Sequence, residues 1–176
     1  MKVVCFCGAS DSGKTTLIGA VMAELKATGA RVSVIKHAHK RFDIDHAGKD
    51  SYRHREAGAY EVLIASAHRL ALVRELEVER EPRVHDLLAE LSAVDWVLVE
   101  GFKDADLWKV EVRREAVAAA PLYLTDPFVM AIACDQPQAL PEPTLRPVFD
   151  LNDAAGLTAC LLAAGERLDY RPEIYA

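Results

Sequence analysis

Residues Gly8-Ala9-Ser10-Asp11-Ser12-Gly13-Lys14-Thr15 place two glycines, a lysine and a hydroxyl at the spacing of a phosphate-binding loop, G-x-x-x-x-G-K-[ST]. Such a loop binds an anion through inward-pointing backbone N–H groups, and glycines allow the bend that aims several of them at one point. Gly8, Ser10, Asp11, Ser12 and Gly13 would form the cradle. Lys14 would reach the β- and γ-phosphates of a nucleoside triphosphate, the Thr15 hydroxyl would ligate Mg²⁺, and Thr16 would follow on the first helical turn. A second group belongs with these. The apolar run at 96–99 ends in Glu100-Gly101, and an acid at the end of a buried strand holds Mg²⁺ from the side opposite the loop threonine. Most such strands end in Asp, so Glu100 is a variant. Lys14 and Glu100 are the candidate catalytic pair, and Thr15 and Glu100 the core of a metal set.

Other residues are candidates of the same crevice. The polar segment 37–51 carries His37, His39 and His46 together with Asp43, Asp45 and Asp50, and a loop of this length inside a compact domain is usually functional or disordered. Asp45, with Asp43 beside it, could join the Mg²⁺ shell, or the pair could be a solvated acidic loop. His37 and His39 could bind a transition metal, but the contacts favoured are to a phosphate or a partner. Lys49, Arg53 and Arg55 form a basic cluster able to hold a second anion or simply a charged helix face. Asp135, at the end of an apolar run, could accept hydrogen bonds from guanine N1–H and N2–H₂, although the N-K-x-D context of guanine-specific GTPases is missing. Arg53 or Arg113 could act as an arginine finger across a dimer. No water-activating base stands out, so any hydrolysis should be slow.

The elements that position these groups follow from periodicity. Residues 3–7 read as a strand on which Cys5 and Cys7 share one face, and both are read as buried small hydrophobes. Leu17, Ile18, Val21, Met22 and Leu25 recur at helical spacing up to a cap at Gly29. A strand at 31–36 completes a βαβ unit. The runs at 60–66 and 69–74 are separated by two or three residues and predict an antiparallel hairpin. Pro82 opens a helix, strands follow at 95–101, 108–113, 128–135 and 146–149, and Asn152 or Asp153 caps a last helix carrying Leu157, Leu161 and Leu162. Residues from about 168 read as a tail. The predicted class is α/β: a P-loop NTPase-type three-layer fold with a mostly parallel central sheet, an inserted hairpin at about 60–75, and one domain over 1–176.

Composition sets outer bounds. At 176 residues with 51% hydrophobic and 27% charged residues, the chain suits one globular domain. The net charge of −6 argues against general nucleic-acid binding, which needs a basic face. No apolar run approaches the ~20 residues of a membrane span, and Met1-Lys2 leads directly into the first strand, so the expected location is the cytoplasm.

Together these residues resemble the molybdopterin-guanine dinucleotide biosynthesis protein B (MobB) family. The similarity is carried by the 8–16 loop, Ile35-Lys36-His37-Ala38-His39, Phe42-Asp43-Ile44-Asp45, Leu98-Val99-Glu100-Gly101-Phe102-Lys103 and Lys109-Val110-Glu111-Val112-Arg113. Above all it is carried by Gly48-Lys49-Asp50-Ser51-Tyr52-Arg53-His54-Arg55-Glu56-Ala57-Gly58-Ala59. The resemblance implies a GTP-binding protein with weak Mg²⁺-dependent GTPase activity and a homodimer built through intersubunit strands, with the 61–74 hairpin as the dimer element. It also implies an accessory role in molybdenum cofactor maturation, beside the nucleotidyltransferase that attaches GMP to molybdopterin, with molybdopterin a further candidate ligand. By position, Gly13, Lys14, Thr15 and Thr16 would hold the phosphates and Mg²⁺, with Glu100 behind them. One departure is His37-Ala38-His39-Lys40, where relatives often carry a denser histidine run. Two other readings share the phosphate loop: a small-molecule kinase, and a metallochaperone-type GTPase using His37, His39 and His46.

Overall fold

The structure, a computed structural model, describes residues 1–38 and 42–175. It divides into two compact units, Met1–His37 with Arg83–Ala176, and Ala38–Pro82.

The larger unit is built on β1 (Lys2–Cys7), whose residues Val3 to Cys7 are all buried. In chain order there follow α1 (Lys14–Ala27), β2 (Val32–Lys36), α3 (Val84–Ala89), β5 (Trp96–Glu100), β6 (Lys109–Arg113), β7 (Val129–Cys134), β8 (Val148–Asp150) and α4 (Ala154–Ala163); α2, β3 and β4 belong to the smaller unit. The six strands form one sheet in the order β2-β5-β1-β6-β7-β8, and every pairing is parallel. Parallel strands are covered on both faces and so read as continuous apolar runs, as 96–99 and 129–134 do. The period-2 alternation of β1 sorts its side chains between the two covers. Val4 and Phe6 pack with Leu17, Ile18, Val21 and Leu25 of α1 and Leu157 and Leu161 of α4. Val3, Cys5 and Cys7 pack with Val84 and Leu88 of α3 on the other face. Helices on both faces of a parallel sheet make the three-layer architecture expected from the sequence.

The strand order carries a consequence that periodicity could not give. β1 and β2 are joined by α1 but do not pair, because β5 lies between them. The register sets Phe6 opposite Glu100 and Cys7 opposite Glu111, so the C-terminal ends of β5 and β6 flank the phosphate loop. Ligands of open α/β sheets bind outside the carboxyl ends of the strands, where the order reverses, and here the reversal falls at β1.

The last residues of this unit are held at the N-terminal end of β1. Leu168 is buried, Asp169 bridges to Lys2 with its carboxylate 2.7 Å from Lys2 Nζ, and the Tyr170 N–H donates to Met1 O. Tyr170 and Tyr175 stack on His85 of α3.

The smaller unit contains α2 (Asp50–Glu56), β3 (Glu61–Ala65) and β4 (Leu70–Arg74). The two strands form their own antiparallel sheet, from Glu61 opposite Arg74 to Ala65 opposite Leu70. The turn closes through Ser66 N–H donating to Arg69 O at 2.8 Å. Among the described residues, no helix is long and apolar enough to cross a membrane.

Candidate phosphate-binding site

β1 ends at Cys7 and the chain turns through backbone conformations that L-residues avoid: Gly8 at φ 145°, Asp11 at φ 62° and Gly13 at φ 99°. At Gly8 the turn needs glycine twice over, because a Cβ there would stand 2.1 Å from the carbonyl oxygen of Val112 on β6. Gly13 is the N-cap of α1. It offers no side chain to the first-turn N–H groups, and that turn contains no acid. α4 differs, since its N-cap Asp153 turns its own carboxylate onto Gly156 N–H at 2.9 Å. A helix begins with several unpaired N–H donors and a positive dipole end. In α4 the chain's own carboxylate meets this need, whereas α1 starts with no side-chain cap, and an anion would fit there.

The side chains agree with that reading. Lys14 Nζ bends back over the loop and donates to Ala9 O at 2.6 Å and Gly8 O at 3.1 Å, which puts the ammonium beside the cradle. Ser12 is 1% exposed, and its hydroxyl has no hydrogen-bond partner among the described residues. A buried hydroxyl without a partner costs about 1–3 kcal/mol, and a phosphate oxygen in the loop would satisfy it. Phosphate therefore fits the donors present.

Glu100, at 8% exposed, stands at the C-terminal end of β5. Thr15 Oγ1 donates to its Oε1 at 2.8 Å, and Lys36 Nζ lies 3.2 Å from the same oxygen. The loop hydroxyl and the strand-end carboxylate thus meet, as the sequence predicted. Thr15 and Glu100 are hard oxygen donors, and Mg²⁺ is typically held by one or two carboxylates together with substrate phosphates and water. The donor set fits that ion. The peptide after Glu100 is held from two sides: His37 N–H donates to Glu100 O at 2.9 Å, and Gly101 N–H donates to Phe6 O at 3.1 Å. Gly101 (φ 97°) and Phe102 (φ 48°) then turn left-handed, and the Phe102 ring stacks on His37 at 4.5 Å. A non-glycine residue at positive φ costs of order 1–3 kcal/mol, so packing maintains this turn directly behind the carboxylate.

The remaining predicted residues have partners of their own within each unit. Asp135 follows β7 and accepts from Glu115 N–H at 2.9 Å. Asp45 belongs to the smaller unit, where its carboxylate takes Ser51 Oγ and His46 N–H and lies 3.4 Å from Arg55. Burial raises its pKa, but these hydrogen bonds and the Arg55 charge outweigh burial and hold it below the usual carboxylate range. Arg55 also binds Asp43 at 2.9 Å and Glu75 at 2.8 Å. Its hydrogen bond is the main cause that holds Asp43 low, while the two acids push the guanidinium pKa up. Arg55 is thus the hub of an ion-pair network in the smaller unit. Arg53 is highly exposed and sits 4.0 Å from Asp50, and Lys49 is the exposed N-cap of α2. His39 lies outside the described residues. No cluster of three or more His, Cys, Asp or Glu suited to a metal occurs among the described residues. Burial pushes both strand thiols up, Cys7 to about 12 and Cys5 higher still, so they act as the apolar side chains predicted.

Two residues beside the loop were not foreseen. Lys36 reaches Glu100 because the β2–β5 register sets the two opposite each other, a pairing that the linear sequence does not display. Arg114 lies against Gly13, with its Nη2 3.3 Å from where a Cβ would be. The sequence had singled out Arg113, but that side chain is engaged by Glu111 at 2.8 Å and Ala119 O at 3.2 Å.

A family model described as "Molybdopterin guanine dinucleotide synthesis protein B" matches residues 3–135. The chain is 38% identical over 160 residues to an Escherichia coli (strain K12) protein named molybdopterin-guanine dinucleotide biosynthesis adapter protein, covering 89% of each chain. A protein of the same name from Haemophilus influenzae is 38% identical over 148 residues, covering 82% of this chain and 79% of its own. Among solved structures, the MobB protein homolog from Bacillus stearothermophilus superposes with a TM-score of 0.69 at 25% identity, covering 93% of this chain and 97% of that one.

Proposed function

The chain belongs to the molybdopterin guanine dinucleotide synthesis protein B family, and on that premise we propose that it is a Mg²⁺-dependent GTP-binding adaptor in molybdenum cofactor biosynthesis. Its role would be to assist the formation of molybdopterin guanine dinucleotide, with slow hydrolysis of GTP to GDP and phosphate. The observation that carries the nucleotide reading is the meeting of Lys14, Thr15 and Glu100 at the start of a helix with no cap of its own.

Each residue has a definite part. The backbone N–H groups from Gly8 to Thr16, with Ser12 Oγ, hold the β-phosphate, and Lys14 leaves its loop carbonyls for the β- and γ-phosphate oxygens. Thr15 and Glu100 would hold Mg²⁺, which would supply neutralisation of phosphate charge. Lys36 orients the Glu100 carboxylate and sets an opposite charge beside it, since a buried carboxylate needs a partner. Slow turnover follows from the same geometry. Glu100 is occupied by Thr15 and Lys36, and it therefore serves the metal rather than an attacking water.

The partners follow from the family. The adapter name borne by the relatives supports docking onto the nucleotidyltransferase that joins GMP to molybdopterin, in the cytoplasm, with molybdopterin itself a further candidate ligand. Asp135 is the candidate reader of the guanine base. The hairpin supports a homodimer. Leu63 and Leu72 stand opposite each other on one face of β3–β4, with Leu70 beside them, and all three are exposed. An exposed apolar sheet face of this kind is covered in most proteins.

The test is a comparison of nucleotides with purified protein and Mg²⁺. GTP is expected to bind more tightly than ATP, with the γ-phosphate released slowly to water. ATP binding as tight as GTP, with phosphate passed to a small acceptor, would establish a kinase instead.

A further inference from the structure

Arg114 is exposed and makes no ion pair with any described residue, yet its guanidinium is packed on the loop glycine. From the position of a Cβ on Gly13, Nη2 is 3.3 Å, Nε 3.7 Å and Cζ 3.9 Å away. Holding a long cation in one place costs of order 1.5–2 kcal/mol of side-chain freedom. The backbone that carries it is also fixed. Val117 N–H donates to Arg114 O at 3.0 Å, the next residue's N–H donates to Asp135, and Gln136 binds the Glu115 carboxylate. The turn after β6 is thereby tied to the end of β7.

The sheet order decides what this cation faces. β1 has β5 on one side and β6 on the other. Thr15 and Glu100, the pair that would hold Mg²⁺, lie on the β5 side, and a metal held there would supply charge neutralisation to the terminal phosphates. The rest of a nucleotide must then run the other way, over β6 toward β7, where Asp135 stands. Arg114 lies along that leg. We propose that Arg114 is a nucleotide-binding residue of this site, gripping the α-phosphate side of the bound nucleotide from the β6 edge of the loop. Asp135 is its positioning residue as well as the neighbour of the base. This inference rests on the nucleotide-binding reading and deepens it. An α-phosphate contact is present in the diphosphate and the triphosphate alike. It contributes uniform binding and does not act on the transferring group.

The experiment measures GDP and GTP binding by calorimetry, together with single-turnover GTP hydrolysis, for the wild type, Arg114→Ala and Arg114→Lys. One charge-assisted contact predicts that Arg114→Ala weakens GDP and GTP by the same factor, about 10- to 100-fold. The GTP kcat/KM should fall by that factor too, and Arg114→Lys should recover part of the loss because it keeps the charge without the fork. Unchanged GDP affinity in Arg114→Ala overturns the proposal. So does a loss confined to GTP hydrolysis, which would make Arg114 an arginine finger on the γ-phosphate. Wild-type protein that binds neither nucleotide overturns the underlying reading as well. Because Arg114 is exposed, thermal unfolding of the three proteins should coincide, which separates lost binding from lost folding.

Discussion

Glu100 gives one carboxylate oxygen to both the Thr15 hydroxyl and the Lys36 ammonium, and this sharing defines what each of the three does. The hydroxyl and the carboxylate are the pair that Mg²⁺ would join, while Lys36 compensates a charge that burial would otherwise make costly. Replacing Glu100 with Gln keeps the shape and a hydrogen-bond acceptor but removes the charge. Glu100→Gln should therefore blunt the effect of Mg²⁺: chelating the metal weakens GTP binding to the wild type about tenfold or more and changes the variant by much less. An equal dependence on Mg²⁺ in both proteins would show that Glu100 does not hold the ion. At this scale the sequence displayed whatever depends on local spacing. Lys14 and Thr15 were legible from the loop pattern, and Glu100 from its place at the end of an apolar run. Lys36 was hidden because its partner is set by strand register across 64 residues. Arg113, offered by the sequence as a finger across a dimer, is held within its own chain for a strand reason. Glu111 and Arg113 are two residues apart on one face of β6, so they pair with each other.

The two helix starts and the hairpin are the elements on which the proposed nucleotide binding and the proposed dimer depend. α1 begins at a left-handed glycine with no capping side chain, and α4 begins at a capping aspartate; the same backbone end is filled by a side chain in one helix and not in the other. The helix and strand periods were legible in the sequence, including the shared face of Cys5 and Cys7. Boundaries moved where local chemistry intervened. α3 begins at Val84 and not at the proline, and β8 begins one residue after Pro147, whose carbonyl still accepts from Ile132 N–H. The hairpin was read correctly, but its two strands make a sheet of their own. Leu63 at 61% and Leu72 at 44% exposure face solvent directly opposite each other. If a second copy covers them, Leu63→Asp combined with Leu72→Asp should convert a dimer into a monomer in light scattering at micromolar concentration, with the secondary structure intact. A wild type that is already monomeric under those conditions would rule out the hairpin as a dimer element.

For the molecule as a whole, function follows from the strand order β2-β5-β1-β6-β7-β8. It places the first strand between two strands contributed much later in the chain and gathers Glu100, Lys36 and Arg114 around a loop only a few residues from the N-terminus. Periodicity identifies strands but does not order them, which is why the class was legible in the sequence and the neighbours of the loop were not. The smaller unit has its own organising charge in Arg55, tied to Asp43, Asp45 and Glu75. Asp43 and Asp45, which the sequence offered either to the Mg²⁺ shell or as a solvated acidic loop, are ion-paired to Arg55 in that network. The central claim is that this loop binds a guanine nucleotide through Lys14 and Mg²⁺. The most direct measurement is calorimetric titration of GTP with Mg²⁺ into the wild type and Lys14→Ala. Removal of an ammonium that meets two phosphates predicts a loss of at least about 100-fold, on the order of 3 kcal/mol, with folding unchanged. Equal GTP affinity in the two proteins would contradict it.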